Sequence, residues 1–504
     1  MSFFNAENFL STTGGRWLVQ PKSKAGLRGV GIDSREDLRN KAFIAIKGDR
    51  FDGHDFLRAA ANAGASLLIV QHDEIPNDLP SGIGVMLVDD ARKALGRLAH
   101  AYRQTLHGTA VIAVAGSAGK TTTKLLIEAA LAGSMRGTVS PKSFNNDIGV
   151  PLTILSAQPG DQYLIVEVGT NHLGEIAPLA AMVEPDIAVI TMIGREHLEG
   201  LGSLSNIARE NAALLDHLRA SSVAVVNADS PELRRRLASA KSIILFGEAQ
   251  DADIRLTDRG ENAPDKKCGP WWLELNGASR FDLSLPGRHN AVNALAAVAV
   301  ARHLGVNDEQ ISIGLARAHG PPMRMERQEI GAITLYNDAY NANPDSMIAA
   351  LATFAEVAAT APRRIIVLGD MLELGEAGPE LHREIGRYLL SVDSHTPIDL
   401  AFFIGELSAF AAAEVARQWP GARLMSFAHL DSEASQRIVD LLQPNDAVLL
   451  KGSRGMQLER LAQELTKRHQ DRSTFQESTA NRNRPIGNAA IRGGATSAKT
   501  VAKR

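Results

Sequence analysis

The stretch VIAVAGSAGKTTTK (111–124) carries the residue types for phosphate chemistry. An apolar run, Val111 to Ala115, delivers the chain to Gly116, Ser117, Ala118, Gly119, Lys120, Thr121 and Thr122, where a helix is expected to begin. Glycines let backbone N–H groups approach an anion, and the helix N-terminus adds partial positive charge. Lys120 would reach the β and γ phosphates of a nucleotide, and the Thr121 hydroxyl would face Mg2+. The longer Walker form has glycine where this chain has Val114, so this is the shorter Gly-x-x-Gly-Lys-Thr form. The dinucleotide fingerprint Gly-x-Gly-x-x-Gly is absent. The competing reading is an accidental glycine-rich turn.

Two further residues bear on that site. Glu167 ends the apolar run YLIVEV, and His197 follows DIAVITMI within IGREHLEGLGS. Both are expected at the sheet edge that carries the loop. Mg2+ prefers oxygen ligands, so Glu167 is a natural ligand and His197 a less usual one. For His197 a structural role and a ligand role stay open. The single cysteine, Cys268, can form no internal disulfide, has no histidine close by in sequence, and receives no role. His172 and His382 are read as surface or core histidines.

Positioning such residues calls for parallel sheet. VIAVA, YLIVEV, DIAVITMI, SVAVVN and SIILF are near-continuous apolar runs, as in strands covered on both faces. The segments between them supply crossover helices. The expected architecture is α/β with three domains. Residues 1–108 form a small N-terminal α/β domain, and 109–323 a central P-loop domain closing on the helix HNAVNALAAVAVARHL. Residues 324–470 form a C-terminal Rossmann-like domain. In it RRIIVLGD, DLAFFIGE and DAVLLKGS each read as a strand ending in glycine plus a polar residue. Ligands sit off such strand ends, although tight turns look the same. The stretch 471–504 is polar, with basic residues from Arg472 to Arg504 against Asp471 and Glu477, and reads as a disordered basic tail.

Composition narrows the classes. The 504 residues are 44% hydrophobic and 22% charged, with net charge −3, so no overall basic excess points to nucleic acid. No run reaches the roughly 18 apolar residues of a membrane span. The N-terminus lacks a basic region followed by an apolar one, so no signal peptide is expected. A cytoplasmic monomer is the expectation, with no nucleic-acid partner and no membrane insertion.

Together the motifs resemble the Mur ligase family, ATP-dependent amide-bond ligases of peptidoglycan precursor synthesis. The short phosphate loop, Glu167 and HLEGLGS fit, as do LPGRHNAVNALAA (285–297), PPMRME, YNDAYNANPDSM (336–347) and LLKGSRGM (449–456). The resemblance covers roughly residues 25 to 465. DSR (33–35), FDGHDF (51–56), SFNNDIGVPLTIL (143–155) and VLGDMLELGE (367–376) point to one branch. Its members join D-alanyl-D-alanine to UDP-N-acetylmuramoyl tripeptide.

The resemblance implies ATP and Mg2+ and assigns roles by position. His289, Asn290 and Asn293 would face the adenine, Arg324 the γ-phosphate, and Asp338 would lie near ATP. Asn341, Asn343 and Ser346 would lie near the reacting groups. Asp33, Ser34, Arg35, Asp52 and His54 would hold the UDP-sugar end, and Asn145, Asn146 and Thr153 the sugar-peptide body. Capping and turn satisfaction are the alternative for these Asn, Asp, Ser and Thr residues. Lys120, Glu167, His197 and Arg324 are the implied catalytic set, and Thr121, Glu167 and His197 the implied metal set. Closure of the third domain over the loop would exclude water. The chain departs from the family at Asn211, where many members carry a carbamylated lysine for a second Mg2+. A one-residue change of register would put Glu210 there instead. A sister amide ligase and a non-catalytic nucleotide-binding paralogue are the competing functions, the latter favoured only by Asn211.

Overall fold

The computed structural model describes residues 3–22, 26–48, 50–237, 240–263 and 269–482, with side chains to residue 470. Cys268 lies outside the described residues. Three sheets follow one another along the chain.

The first sheet has five strands, ordered Arg16–Val19, Gly84–Leu87, Leu67–Val70, Ala42–Ile44, Val30–Gly31. Only the Arg16–Val19 pairing is antiparallel. The helix Ala91–Arg103 closes this region, with Asp90 capping it by accepting from the Lys93 N–H. Its buried positions Ala91, Ala94, Leu95, Leu98, Ala99 and Tyr102 recur at helical spacing, so one stripe is apolar.

The second sheet has nine strands. Seven consecutive strands are mutually parallel, in the order Ile254–Glu261, Ile243–Gly247, Val223–Asn227, Ile187–Ile190, Ala110–Ala115, Tyr163–Glu167, Gly137–Val139. Val223–Asn227, Ile187–Ile190 and Tyr163–Glu167 are buried along their whole length, which is why they read as unbroken apolar runs. The helix Arg288–His303 is buried from Asn293 to Ala301 and packs on Leu126, Ile127 and Ala130 of the helix Lys120–Ala132. Beyond Ile254–Glu261 the sheet is extended by Trp271–Leu275 and Ser279–Leu283, both running antiparallel to their neighbours.

The third sheet is ordered Glu326–Ile330, Ile333–Asp338, Asp446–Lys451, Arg363–Gly369, Leu400–Ile404, Leu424–Phe427. It is parallel except for its first pair. The tail expectation needs correction at its start. The backbone of 471–482 continues the helix Glu459–Arg482, because Gln, Arg and Glu sustain a helix already nucleated on buried Leu461 and Leu465. Residues 483–504 lie outside the described residues.

Candidate active site

The phosphate loop joins the strand Ala110–Ala115 to the helix Lys120–Ala132. Gly116 and Gly119 have φ of 132° and 80°, in the left-handed range that favours glycine. A Cβ on Gly119 would meet Asn293 Oδ1 at 2.5 Å, and one on Gly116 would meet Thr191 Oγ1 at 2.2 Å. The loop is therefore pressed against its neighbours by backbone, and Asn293 lies directly on it.

Lys120 folds back over the loop. Its ammonium donates to the Gly116 carbonyl and lies 3.3 Å from Glu196 Oε2. Burial pushes the Glu196 carboxyl up, with Lys120 and His197 opposing. The other Glu196 oxygen, Oε1, is buried without a hydrogen-bond partner. Nothing in the sequence singled out Glu196, although it stands beside His197.

Glu167 is 1% exposed and sits at the centre of a second group. Its Oε1 accepts from Thr121 Oγ1 and from Asn145 Nδ2, both at 3.1 Å. Its Oε2 lies 3.1 Å from the Lys124 ammonium. Lys124, one helical turn beyond Lys120, is itself 1% exposed and donates to the carbonyls of Ser140 and Lys142. A buried ion pair holds only with such extra partners. Lys124 thus fixes the Glu167 carboxylate toward Thr121. It is a second residue missed in the sequence, visible there only as an i, i+4 partner of Lys120.

Arg324 comes from the junction before the third sheet and reaches Thr121 Oγ1 at 3.4 Å. Its guanidinium also lies over the Tyr340 ring at 4.4 Å. The flanking Met323 and Met325 have φ of 57° and 52°, a strained turn held by Glu326 and Asp338, which accept from their N–H groups. Asp338 also pairs with Lys451 at 3.1 Å. Desolvation pushes Asp338 up and Lys451 down, and their mutual attraction opposes both. Lys451 donates to the Asn341 carbonyl at 2.6 Å, so Asp338, Asn341 and Arg324 belong to one network.

Not every expected residue joins these groups. His197, in a left-handed conformation at φ 46°, pairs through Nδ1 with Glu373 of the third domain, not with Thr121 or Glu167. Among the described residues no group of three or more His, Cys, Asp or Glu side chains could hold a metal ion. Asn343 and Ser346 form a reciprocal capping box on the helix Pro344–Val357. Asn146 Oδ1 accepts from the Gly149 N–H, and Thr153 donates to the Gly149 carbonyl. Asp52 caps Gly53–Phe56 and holds His54 Nδ1 at 2.6 Å. Ser34 stands between Asp33 and Arg35, which pair with each other at 2.6 Å on the surface. Asn290 binds the Pro286 carbonyl and accepts from Asn293 at 3.4 Å. His289 lies 3.4 Å from Thr353 Oγ1; desolvation, with Lys451 and Arg259 adding, pushes it down to about 4, so it is neutral at neutral pH. Asn211 donates to the Ile207 carbonyl of its own helix, and Glu210 spends both oxygens on the N–H groups of Gly174 and Ile176. His172 is on the surface, and His382 is in the core between Gly378 and Met371.

The chain is similar to known proteins along most of its length. Family models match at three places: "Mur ligase family, catalytic domain" over 27–103, "Mur ligase middle domain" over 114–301, and "Mur ligase, glutamate ligase domain" over 323–454. A Bacillus subtilis relative, UDP-N-acetylmuramoyl-tripeptide--D-alanyl-D-alanine ligase, is 34% identical over 440 residues, spanning 87% of this chain and 93% of its own. The crystal structure of MurF from Acinetobacter baumannii matches with TM-score 0.79 at 31% identity, covering 92% of this chain and 99% of that one. MurF ligase from Thermotoga maritima, solved in complex with ADP, matches with TM-score 0.73 at 26% identity over 88% and 98% of the two chains. The chain belongs to the Mur ligase family.

Proposed function

We propose that this chain joins D-alanyl-D-alanine to UDP-N-acetylmuramoyl tripeptide at the expense of ATP, in peptidoglycan precursor synthesis. The observation that carries the reading is the meeting of Arg324 with Thr121, which puts a cation from the third-domain junction on the phosphate loop. The relatives that share the whole architecture bear the name of this ligase.

A carboxylate does not react with an amine unaided. In the proposed reaction a tripeptide carboxylate oxygen attacks the γ-phosphorus and ADP leaves, giving an acyl phosphate. The amine of the dipeptide then attacks the carbonyl carbon, inorganic phosphate leaves with the electron pair of the broken C–O bond, and the nitrogen gives up one proton to the departing phosphate or to water. Such transfer rests on positioning and charge neutralisation rather than on a protein nucleophile. Lys120 and Arg324 supply cations there, and the loop's N–H groups would hold the phosphates. Thr121 and Glu167 offer the hard oxygen donors that suit Mg2+, which neutralises phosphate charge when bound. With so few protein ligands, phosphate oxygens and water would complete its shell, as is usual for this ion. Asn293 lies on the loop and contacts Asn290, and with neutral His289 on the same helix they mark the side where we place the adenine. Asn341 lies on the third-domain side, where we place the dipeptide.

One chain supplies every residue named, so a monomer suffices. Among the described residues no helix is long and apolar enough to cross a membrane. We assign the reaction to the cytoplasm, the compartment of ATP and of a UDP-linked precursor.

The test is phosphate release from Mg·ATP by the purified chain with UDP-N-acetylmuramoyl tripeptide, with and without D-alanyl-D-alanine. Release that depends on both, with a UDP-linked pentapeptide by mass spectrometry, is the expected result. Release with a free amino acid in place of the dipeptide would move the chain to a sister ligase. ATP binding with no release would favour a non-catalytic paralogue.

A further inference from the structure

Arg195 belongs to the central domain, yet its hydrogen bonds run to residues 150 and 189 positions away in the third. Its backbone N–H donates to Asp345 Oδ2 at 2.7 Å. Its Nε and Nη2 donate to Asp345 Oδ1 at 3.2 and 2.8 Å, and its Nη1 to Glu384 Oε2 at 2.7 Å. Asp345 lies in the first turn of the helix Pro344–Val357, directly after the Asn341–Asn343 segment. Glu384 lies on the neighbouring helix Gly378–Asp393. On its own side Arg195 precedes Glu196, which touches Lys120, and His197, which pairs with Glu373.

We propose that Arg195 is a positioning residue that clamps the phosphate half of the site to the amine half. The planar guanidinium suits this task, because one fork can bind two carboxylates in fixed directions while an ammonium cannot. The clamp sets the Glu196–His197 loop against the Asn341–Asn343 segment and so fixes where a dipeptide amine stands relative to the bound phosphates. Arg195, Asp345 and Glu384 side chains are 23%, 27% and 36% exposed, so water reaches the seam. Charges that rehydrate easily can part and rejoin within a catalytic cycle. Arg195 makes no hydrogen bond to the phosphate loop. Its loss is expected to spare nucleotide binding and to leave the acyl phosphate open to water.

This inference rests on the ligase reading and adds to it the residue that holds the two halves in register. The test compares the full chain with R195A, R195K and E384Q. The readouts are ATP affinity by calorimetry, kcat and KM for D-alanyl-D-alanine, phosphate released per amide formed, and the radius of gyration by small-angle scattering. For R195A we expect ATP affinity within about twofold of the parent, kcat lower by about tenfold, and excess phosphate over amide. R195K falls between, and E384Q moves the same way by less, on a partly exposed side chain whose loss spares the fold. The clamp is overturned if R195A and E384Q both keep the parent's kcat, KM and phosphate-to-amide ratio. Should the parent itself make no amide, the ligase reading fails, and scattering then decides the clamp. A larger radius of gyration for R195A supports it, and an unchanged one overturns it.

Discussion

The two seams between the three sheets are built from different materials. At the first, the N-terminal and central regions share one hydrophobic core. Phe9, Ala42, Ile44, Leu67 and Leu98 belong to the same buried cluster as Val111, Ala113, Val150, Ile154 and Leu179. Arg103, with no exposed side-chain surface, locks it by donating to the carbonyls of Val183 and Glu184 and to Asp186, at 2.8, 2.8 and 2.9 Å. Tyr102 adds a bond to the Ala157 carbonyl at 2.7 Å. At the second seam the third domain keeps its own buried clusters, and the contact is mostly polar. Arg195 with Asp345 and Glu384, His197 with Glu373, Arg259 with Glu356 and Arg324 with Thr121 carry it. Opening the first seam would expose apolar surface to water, whereas opening the second exchanges ion pairs for hydration. The proposed reaction places its chemistry at the polar seam, where a site that admits three substrates and then excludes water would have to open and close.

Substitutions should separate the seams. The largest effect is expected from K120A, which removes the loop's cation. Amide formation should fall by about 1000-fold, since an electrostatic contact to the transferring group is lost, while the denaturant midpoint falls only modestly, because buried Glu196, left without its cation, can take up a proton. A matching loss of stability would mean that the loop is structural. R103A should do the reverse. It strips partners from the Val183 and Glu184 carbonyls and takes the cation from Asp186, which keeps the Val111 N–H, at a cost of about 3 kcal/mol in urea unfolding. If R103A instead unfolds at the parent's midpoint, the first seam is not the fixed one.

A smaller effect, on the second seam, comes from pH. His289 has a folded pKa of about 4 against 6.5 ordinarily, so the unfolded chain binds its proton first. Stability is then lost as pH falls from about 6.5 toward about 4 and is unaffected above that window. H289Q should lose less stability than the parent across the same window. Parallel pH profiles for the two proteins would show that His289 is not held neutral.

Much of this was legible in the sequence, for physical reasons that differ by region. The central strands announced themselves because both faces are covered, and the phosphate loop because its chemistry is local, within residues 116–122. The strands Ile254–Glu261, Trp271–Leu275 and Ser279–Leu283 were not legible, since half-exposed strands such as Ile254–Glu261 carry Arg, Thr and Glu among few apolar positions. Glu196, Lys124 and Arg195 went unread because their meaning lies in partners distant in sequence or on another strand. Asn343 and Ser346 show the opposite difficulty. An Asn-Pro-Asp-Ser run is a helix start by its own local chemistry, and the capping box found there uses the side chains that the family resemblance assigned to the reacting groups. His197 was placed at the correct sheet edge but turned toward Glu373, a partner invisible without the third domain.

Amide hydrogen exchange on the full chain tests the contrast between the seams most directly. It would be followed without ligands and with Mg2+, a non-hydrolysable ATP analogue and UDP-N-acetylmuramoyl tripeptide. The prediction is that 91–103 and 149–156 exchange slowly in both states, while 195–201 and 340–346 exchange faster in the free chain and slow down when ligands are added. Equal and unchanging protection at both seams would contradict the account.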